Sequence, residues 1–384
     1  MWDTGKSMDL FSGYLRRMAT MKVLIDATTA LGQTGVGIAG RNLINALFSM
    51  DTGVEFTLLF MGNVSQCPET WHKKACVVGT DKPWMRKIVC GPGSLLSVFW
   101  PPWWPGDFDV YHSLESFLPV RHADRGVVTV HDHPDFLCSG GSFREHCIRR
   151  ALRRSAHVIT VSDYVRKGVL AVTGRSPNEV TTIRNAVEVI DRVGKPPKGL
   201  GNITEAFLLY VGGLHLGKRN LVGMAKAYSK LRKEHAVKHI LVVAGPIERY
   251  FEESWTAIVA AADGEPVIHL GYVNHSEIRY LYEHATMLVF PSFFEGLPLP
   301  LLESMSVGCP IITSTIEPCK EAVGDAALLV DPADVEGMTQ AMRKLIENEN
   351  LRSELVHKGL KQTASWTWEQ AAKATQDVYK KVGA

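Results

Sequence analysis

The strongest restriction on what this chain can fold into is a pattern that occurs twice: short, continuously apolar runs separated by helical stretches. The first set begins with MKVLIDAT (21–28) and continues with VEFTLLF (54–60), DVYH (109–112), GVVTV (126–130) and HVITV (157–161). Between its first two members, residues 37–50 place Ile38, Leu43, Leu47 and Phe48 on one side of a helix. The second set is FLLYVGG (207–213), HILVVAGP (239–246), PVIHLG (266–271), TMLVFPS (286–292) and PIITS (310–314), each followed by a helical segment. A strand with one wet face alternates in polarity, whereas a strand that is apolar throughout belongs in a parallel sheet covered on both sides. Between the sets, DRVGKPPKGLGN (191–202) has no period and reads as a linker. At ~150 residues per domain, 384 residues accommodate two such domains. The expected architecture is therefore α/β. Residues 1–20 form an N-terminal extension, 21–195 and 196–364 form two Rossmann-like domains with a hinge near 190–204, and 365–384 form a last helix.

Composition narrows the function classes. A net charge of +2 gives no basis for a nucleic-acid partner, although a small anion needs only a local basic site. The seven cysteines are odd in number, scattered and without a CxxC pair, which argues against a disulfide framework or a zinc site and for reduced thiols in the cytoplasm. No apolar stretch approaches the ~20 residues that cross a bilayer, and the first 20 residues lack the unbroken apolar core of a secretory signal.

In open α/β sheets, ligands gather outside the carboxyl ends of the strands, so the strand-to-helix junctions carry the candidates. Glu295 and Glu303 lie in PSFFEGLPLPLLESMSVGCPIITS with seven residues between them. The first follows a strand and the second falls inside the next helix, with a turn between. Two carboxylates suit the hydroxyls of a sugar and a ribose, and the helix start suits a phosphate or sugar oxygen. On spacing alone, a helix-terminal charge and a solvated surface acid explain the pair equally well. Lys218 and Arg219 open a helix after the strand in YVGGLHLGKRNL. Cations there oppose the helix dipole, a cost that a bound anion offsets, while the plain alternative is two solvated residues.

TGVGIAG (34–40) contains G-x-G-x-x-G at Gly35, Gly37 and Gly40. The pattern alone would suggest a dinucleotide. It does not follow its strand directly, however, and the acid expected to close the second strand is absent, because Glu55 opens that strand instead. His131 in VVTVHDHPDF ends a strand beside Asp132, His133 and Asp135. Successive residues of an extended segment point to opposite sides, so at most two of these could share a metal. A histidine bonded to a loop is the plain alternative.

Several segments in order resemble the large family-4 group of retaining GT-B glycosyltransferases, from about Met21 to the C-terminus. The Glu295–Glu303 segment resembles the family's EX7E signature. HLGYVNHSEIRYLYEHATMLVFPS (269–292) resembles its lead-in, GDAALLVDPADVEGM (324–338) the segment after it, and SAHVITVSDYVRKGV (155–169) a helix pair closing the N-terminal domain. The resemblance implies two Rossmann-like domains facing across a cleft, with the C-terminal helix crossing back to the first. It implies that Glu295 faces the donor sugar and Glu303 holds the ribose. The backbone of Gly296, Leu297, Pro298 and Leu299 would hold the sugar, although many relatives have glycine where Pro298 stands. Lys218 and Arg219 would take the diphosphate, with one cation fewer than relatives that have arginine at Gly213. Gly35 and Gly37 would approach the diphosphate from the N-terminal domain, and His131 would lie near the reacting face of the sugar.

The resemblance thus implies metal-independent, cofactor-free transfer of a hexose with retention, by same-face attack through an oxocarbenium-like state. The expected donor is GDP-mannose, with a UDP-sugar second, and the expected acceptor a glycan or lipid-linked oligosaccharide. A non-catalytic sugar-nucleotide binding protein and an NAD-dependent oxidoreductase are the alternatives; the intact glutamates and basic pair weigh against the first, and the placement of the glycine motif and of Glu55 against the second. Three further features remain. Asp107-Phe108-Asp109 has the DxD form of a Mn²⁺ site but precedes its strand, so it reads as a turn. WPPWWP (100–105) would line an acceptor site or touch a membrane. The helix carrying Arg149, Arg150, Arg153 and Arg154 suits peripheral contact with anionic lipid, but a solvated or phosphate-facing helix is favoured.

Overall fold

The computed structural model describes residues 20–32, 34–51, 53–61, 67–80, 107–116, 122–137, 143–187, 194–201, 205–246 and 251–384. WPPWWP and the two ends of the predicted linker, 191–193 and 202, lie outside them; within 194–201, Lys198–Leu200 forms a single 3-10 turn. The described residues divide into two compact units that interleave along the chain. Unit 1 draws on Met1–Thr160, Val169–Thr181 and Ala372–Ala384, and unit 2 on Val161–Gly168 and Thr182–Ala371.

Unit 1 follows from the first apolar set. Its strands and helices are β1 (Lys22–Asp26), α1 (Gly35–Ser49), β2 (Glu55–Met61), α2 (Glu69–His72), β3 (Cys76–Thr80), β4 (Val110–Ser113), β5 (Gly126–Val130), α3 (Pro134–Leu137), α4 (Phe143–Arg154), β6 (His157–Thr160), α5 (Asp163–Thr173), whose first part up to Gly168 belongs to unit 2, and β7 (Val180–Thr182). The sheet order is β3-β2-β1-β4-β5-β6-β7. The pairs β3–β2, β2–β1, β1–β4, β4–β5 and β5–β6 are parallel. Every residue of β4, β5 and β6 is buried, as strands covered on both faces require. Of these strands, the sequence pattern missed β3 and β7.

Unit 2 repeats the plan with β8 (Phe207–Val211), α6 (Leu216–Arg219), α7 (Leu221–His235), β9 (Ile240–Ala244), α8 (Phe251–Ala262), β10 (Val267–His269), α9 (His275–His284), β11 (Met287–Phe290), α10 (Leu299–Ser306), β12 (Ile311–Ser314), α11 (Glu317–Val323), β13 (Leu328–Val330), α12 (Val335–Glu347) and α13 (Glu349–Ala364). The sheet order is β10-β9-β8-β11-β12-β13, with every pair parallel. Counted from its own first strand, the order is 3-2-1-4-5-6, the doubly wound arrangement whose ligand crevice opens where the strand order reverses. That reversal lies between β8 and β11. On the other side of β8 the backbones are tight: a Cβ at Gly245, just after β9, would fall 2.0 Å from the Gly212 carbonyl oxygen. Only glycine lets the ends of β8 and β9 approach so closely.

The last helix, α14 (Trp368–Gly383), leaves unit 2 and enters unit 1 at Ala372. Its Tyr379 is fully buried and bonded to His112 of β4 at 2.6 Å. Among the described residues, no helix is long and apolar enough to cross a membrane.

Candidate functional site

In unit 2 the candidates gather at the β8/β11 reversal. The chain leaving β8 turns through Gly212, at φ 142°, and enters the short helix α6, whose last turn, not its start, carries Lys218 and Arg219, so the helix-dipole cost expected of them does not arise there. The chain leaving β11 runs through Ser292 and Phe293 to Glu295. The two loops are joined by the Phe293 N–H, which donates to the Lys218 carbonyl at 2.8 Å. Beyond that bond, the Arg219 guanidinium forms an ion pair with Glu295 Oε1. The Glu295 side chain is only 6 % exposed and that of Arg219 19 %. The guanidinium also lies over the Phe290 ring, 5.4 Å from its centre. Its positive charge reaches Cys319, although burial still pushes that thiol up to about 11. Sequence reasoning left open which of Lys218 and Arg219 is the principal cation; Arg219 is the one joined to a candidate acid.

After Glu295, Gly296, Leu297, Pro298 and Leu299 are buried and lead into α10, for which Pro298 is the N-cap without a side-chain bond. Pro298 and Pro300 have no N–H, so the first turn of α10 offers fewer backbone donors than an ordinary helix start. Glu303 lies within α10 and accepts a hydrogen bond from the Tyr282 hydroxyl of α9 at 3.0 Å. Burial, and then the Glu303 carboxylate, push the Tyr282 phenol well above its ordinary value, so it stays a donor. The Gly296 carbonyl accepts from Ser162 Oγ at 2.7 Å, and the same hydroxyl takes the Val165 N–H at 3.2 Å at the start of α5. Glu321 holds the Asp163 N–H at 2.9 Å beside it. Tyr282 and Ser162 are site residues that sequence reasoning missed. Tyr282 left no local signal, whereas Ser162 stood in the recognisable helix-start position of VSDYV.

In unit 1, Gly35 and Gly37 belong to the first turn of α1 rather than to a loop before it. Thr34 caps that helix by accepting from the Gly37 N–H at 3.3 Å. A Cβ at Gly37 would fall 2.5 Å from the Gly32 carbonyl oxygen and 2.7 Å from that of Thr29, so this position needs glycine for packing alone. His131, just after β5, bonds through Nε2 to the Leu114 carbonyl at 2.9 Å. A carbonyl only accepts, so Nε2 carries the proton and Nδ1 of the neutral ring is an acceptor. Burial lowers the pKa of this ring, against an opposing pull from Leu114 and Asp132.

His133 Nδ1 accepts the Asp135 N–H at 3.3 Å, and among the described residues no three His, Cys, Asp or Glu side chains converge as a metal would require. Asp107 pairs with Lys22 Nζ, and Asp109 accepts the Lys22 N–H at 2.8 Å. The DxD segment is therefore tied to the amino end of β1, away from the carboxyl ends of the strands. On α4, Arg149 bonds to Glu145 one turn earlier at 2.9 Å.

Residues 195–362 match the family described as "Glycosyl transferases group 1". The chain is 27% identical over 371 residues to the O-antigen chain mannosyltransferase B of Escherichia coli, covering 90% of this chain and 96% of that protein. Among solved structures, a sucrose-phosphate synthase from Thermosynechococcus elongatus superposes with a TM-score of 0.74 at 16% identity, covering 95% of this chain and 99% of the other. WaaG, a glycosyltransferase involved in lipopolysaccharide biosynthesis, superposes with a TM-score of 0.68 at 12% identity, covering 94% and 99%. With the two doubly wound sheets, these likenesses assign the GT-B fold.

Proposed function

We propose that this glycosyltransferase moves a hexosyl group, mannose in preference, from a nucleoside diphosphate sugar to a glycan or lipid-linked oligosaccharide, without a metal and with retention of anomeric configuration. The observation that carries the reading is the Arg219–Glu295 pair at the strand reversal of unit 2, within the segment that matches the group 1 family. The mannosyltransferase relative, similar over nearly its whole length, supports mannose.

Each residue has a role set by its chemistry. The leaving diphosphate gains charge as the bond to the anomeric carbon breaks and its electron pair stays on oxygen. Fixed cations at Arg219 and Lys218 stabilise that charge more than the ground state, which lowers the barrier. Glu295 accepts from a sugar hydroxyl, and Glu303, oriented by Tyr282, accepts from the ribose. His131, whose Nε2 proton is committed to Leu114, offers Nδ1 as an acceptor to a sugar hydroxyl. The acceptor hydroxyl loses its proton to the departing diphosphate oxygen as the new bond forms on the same face.

Thermal-shift titration with GDP, UDP, ADP and NAD⁺, with and without EDTA, tests the assignment. At one hundred times Kd a bound nucleotide adds about 2.7 kcal/mol of stability. The expected result is stabilisation by GDP that survives EDTA and is lost in Glu303→Ala. Stabilisation by NAD⁺ alone, or by no nucleotide, overturns the reading. An NMR spectrum of the early product that shows an inverted anomer overturns retention.

A further inference from the structure

We infer that Glu295 has a second role, as a built-in competitor of the product diphosphate for Arg219, which favours product release. The inference rests on the donor site proposed above. The side chains assigned there to the sugar and to the diphosphate form an ion pair with each other. A carboxylate presents two oxygens to a guanidinium much as a phosphate does, and both anions use the same fork of N–H groups. The pair is well removed from water, with Glu295 the more buried member, so the interaction is weakly screened. Arg219 Nε is buried without a hydrogen-bond partner, and the ring of Phe290 backs the guanidinium. A diphosphate approaching Arg219 therefore meets a cation whose charge is already partly neutralised, and meets a carboxylate beside it.

The donor and the product differ in what they offer Glu295. A sugar nucleotide brings hydroxyls that the carboxylate accepts, which compensates it for sharing or leaving Arg219. The free nucleoside diphosphate has no sugar, and once its proton has gone to solvent it carries one more negative charge than the donor. Among the described residues Glu295 then has Arg219 as its charged partner, and its charge opposes that of the product. The same residue thus favours the sugar-bearing ligand and disfavours the spent one, a discrimination that no contact with the nucleotide alone provides.

Calorimetric titration of the full chain with GDP, UDP and GDP-mannose tests this in the wild type, Glu295→Gln, Arg219→Ala and the double variant. Glu295→Gln is expected to bind the nucleoside diphosphate on the order of tenfold tighter than the wild type, a coupling of ordinary size between adjacent sites. The Glu295→Gln ratio of GDP to GDP-mannose affinity shifts towards GDP, and GDP dissociation slows in stopped flow. The gain vanishes in the Arg219→Ala background. Should Glu295→Gln fail to fold, Glu295→Asp, which draws the carboxylate back by one methylene, is expected to show part of the same shift. A Glu295 variant that folds and binds GDP and UDP no better than the wild type overturns the release role, as does a gain that persists without Arg219. A wild-type chain that binds neither GDP, UDP nor GDP-mannose overturns the donor site as well, which separates the two failures.

Discussion

At the scale of single residues, the site depends on side chains that hold other side chains. The Tyr282 hydroxyl is a hydrogen-bond donor to Glu303 within the described structure, and the hydrogen-bonded carboxylate is the one assigned to the ribose. A hydrogen bond to a charged group contributes about 1.5–3 kcal/mol, so Tyr282→Phe loosens Glu303 while leaving the ring packed. The ribose contact is made equally in the ground and transition states. Its loss therefore raises the donor KM by roughly tenfold with kcat little changed. Steady-state kinetics and a melting curve check this: an unchanged KM, or a fall confined to kcat, would remove Tyr282 from the donor site. Glu295, Glu303, Lys218 and Arg219 stood out in the sequence as candidates because they follow strand ends that periodicity locates, while the roles expected of them came from the family resemblance. Tyr282 was not, because its partner is 21 residues away on another helix and the contact depends on how α9 packs against α10. The ion pair of Arg219 with Glu295 was hidden for the same reason.

At the scale of elements, sequence periodicity located strands better than it bounded them. GVVTV matches β5 residue for residue, and helix 37–50 overlaps α1 with its start two residues late. β3, β7 and β13 were not singled out: VTT of β7 has one apolar residue, while CVV of β3 and LLV of β13 are apolar runs of only three residues. Two of the strands carry buried histidines that make folding sensitive to acid. His112 of β4 joins Thr129 of β5 at 2.8 Å and Tyr379 of α14 at 2.6 Å, and burial lowers its pKa from 6.5 to about 3. His157 of β6 is lowered to about 4, by burial first and then by Lys381 and Arg175. In both cases the folded ring stays neutral while the unfolded ring takes a proton below 6.5. The unfolded chain then binds more protons, so stability is full above that pH and is lost as pH falls towards the folded values. For His112 the loss is about 1.4 kcal/mol per pH unit, or about 2 kcal/mol between pH 6.5 and 5. Denaturant midpoints across this range should fall in the wild type. They should fall less steeply in His112→Gln, which is weaker at pH 7 but has no ring to protonate. Parallel slopes would show that His112 does not set the acid limit.

At the scale of the whole molecule, the order of the chain and the order of the cores do not coincide. Unit 1 is built from the first 160 residues, a middle segment and the last 13, so its core is complete only when the end of α14 is in place. Tyr379 and Ala372 are fully buried there, Val378 nearly so, and Lys381 bonds to the Asn178 carbonyl. The contact between His112 and Tyr379 spans 267 residues of sequence, and closing so long a loop is entropically costly, so it is expected to form late. Periodicity showed the last helix as amphipathic but could not say which core its apolar face enters. Tyr379→Ala removes a buried ring and leaves His112 with one partner fewer, at a cost of about 3–5 kcal/mol. Because unit 2 has its own continuous sheet and holds the proposed diphosphate site, the loss should fall on unit 1. In hydrogen exchange, β4, β5 and β6 lose protection while β8, β9 and β11 keep theirs, and nucleotide still protects the β8–α6 and β11–α10 junctions. Equal loss of protection in both sheets would mean that the two cores fold as one cooperative body. The C-terminal helix would then support the donor site as well as unit 1.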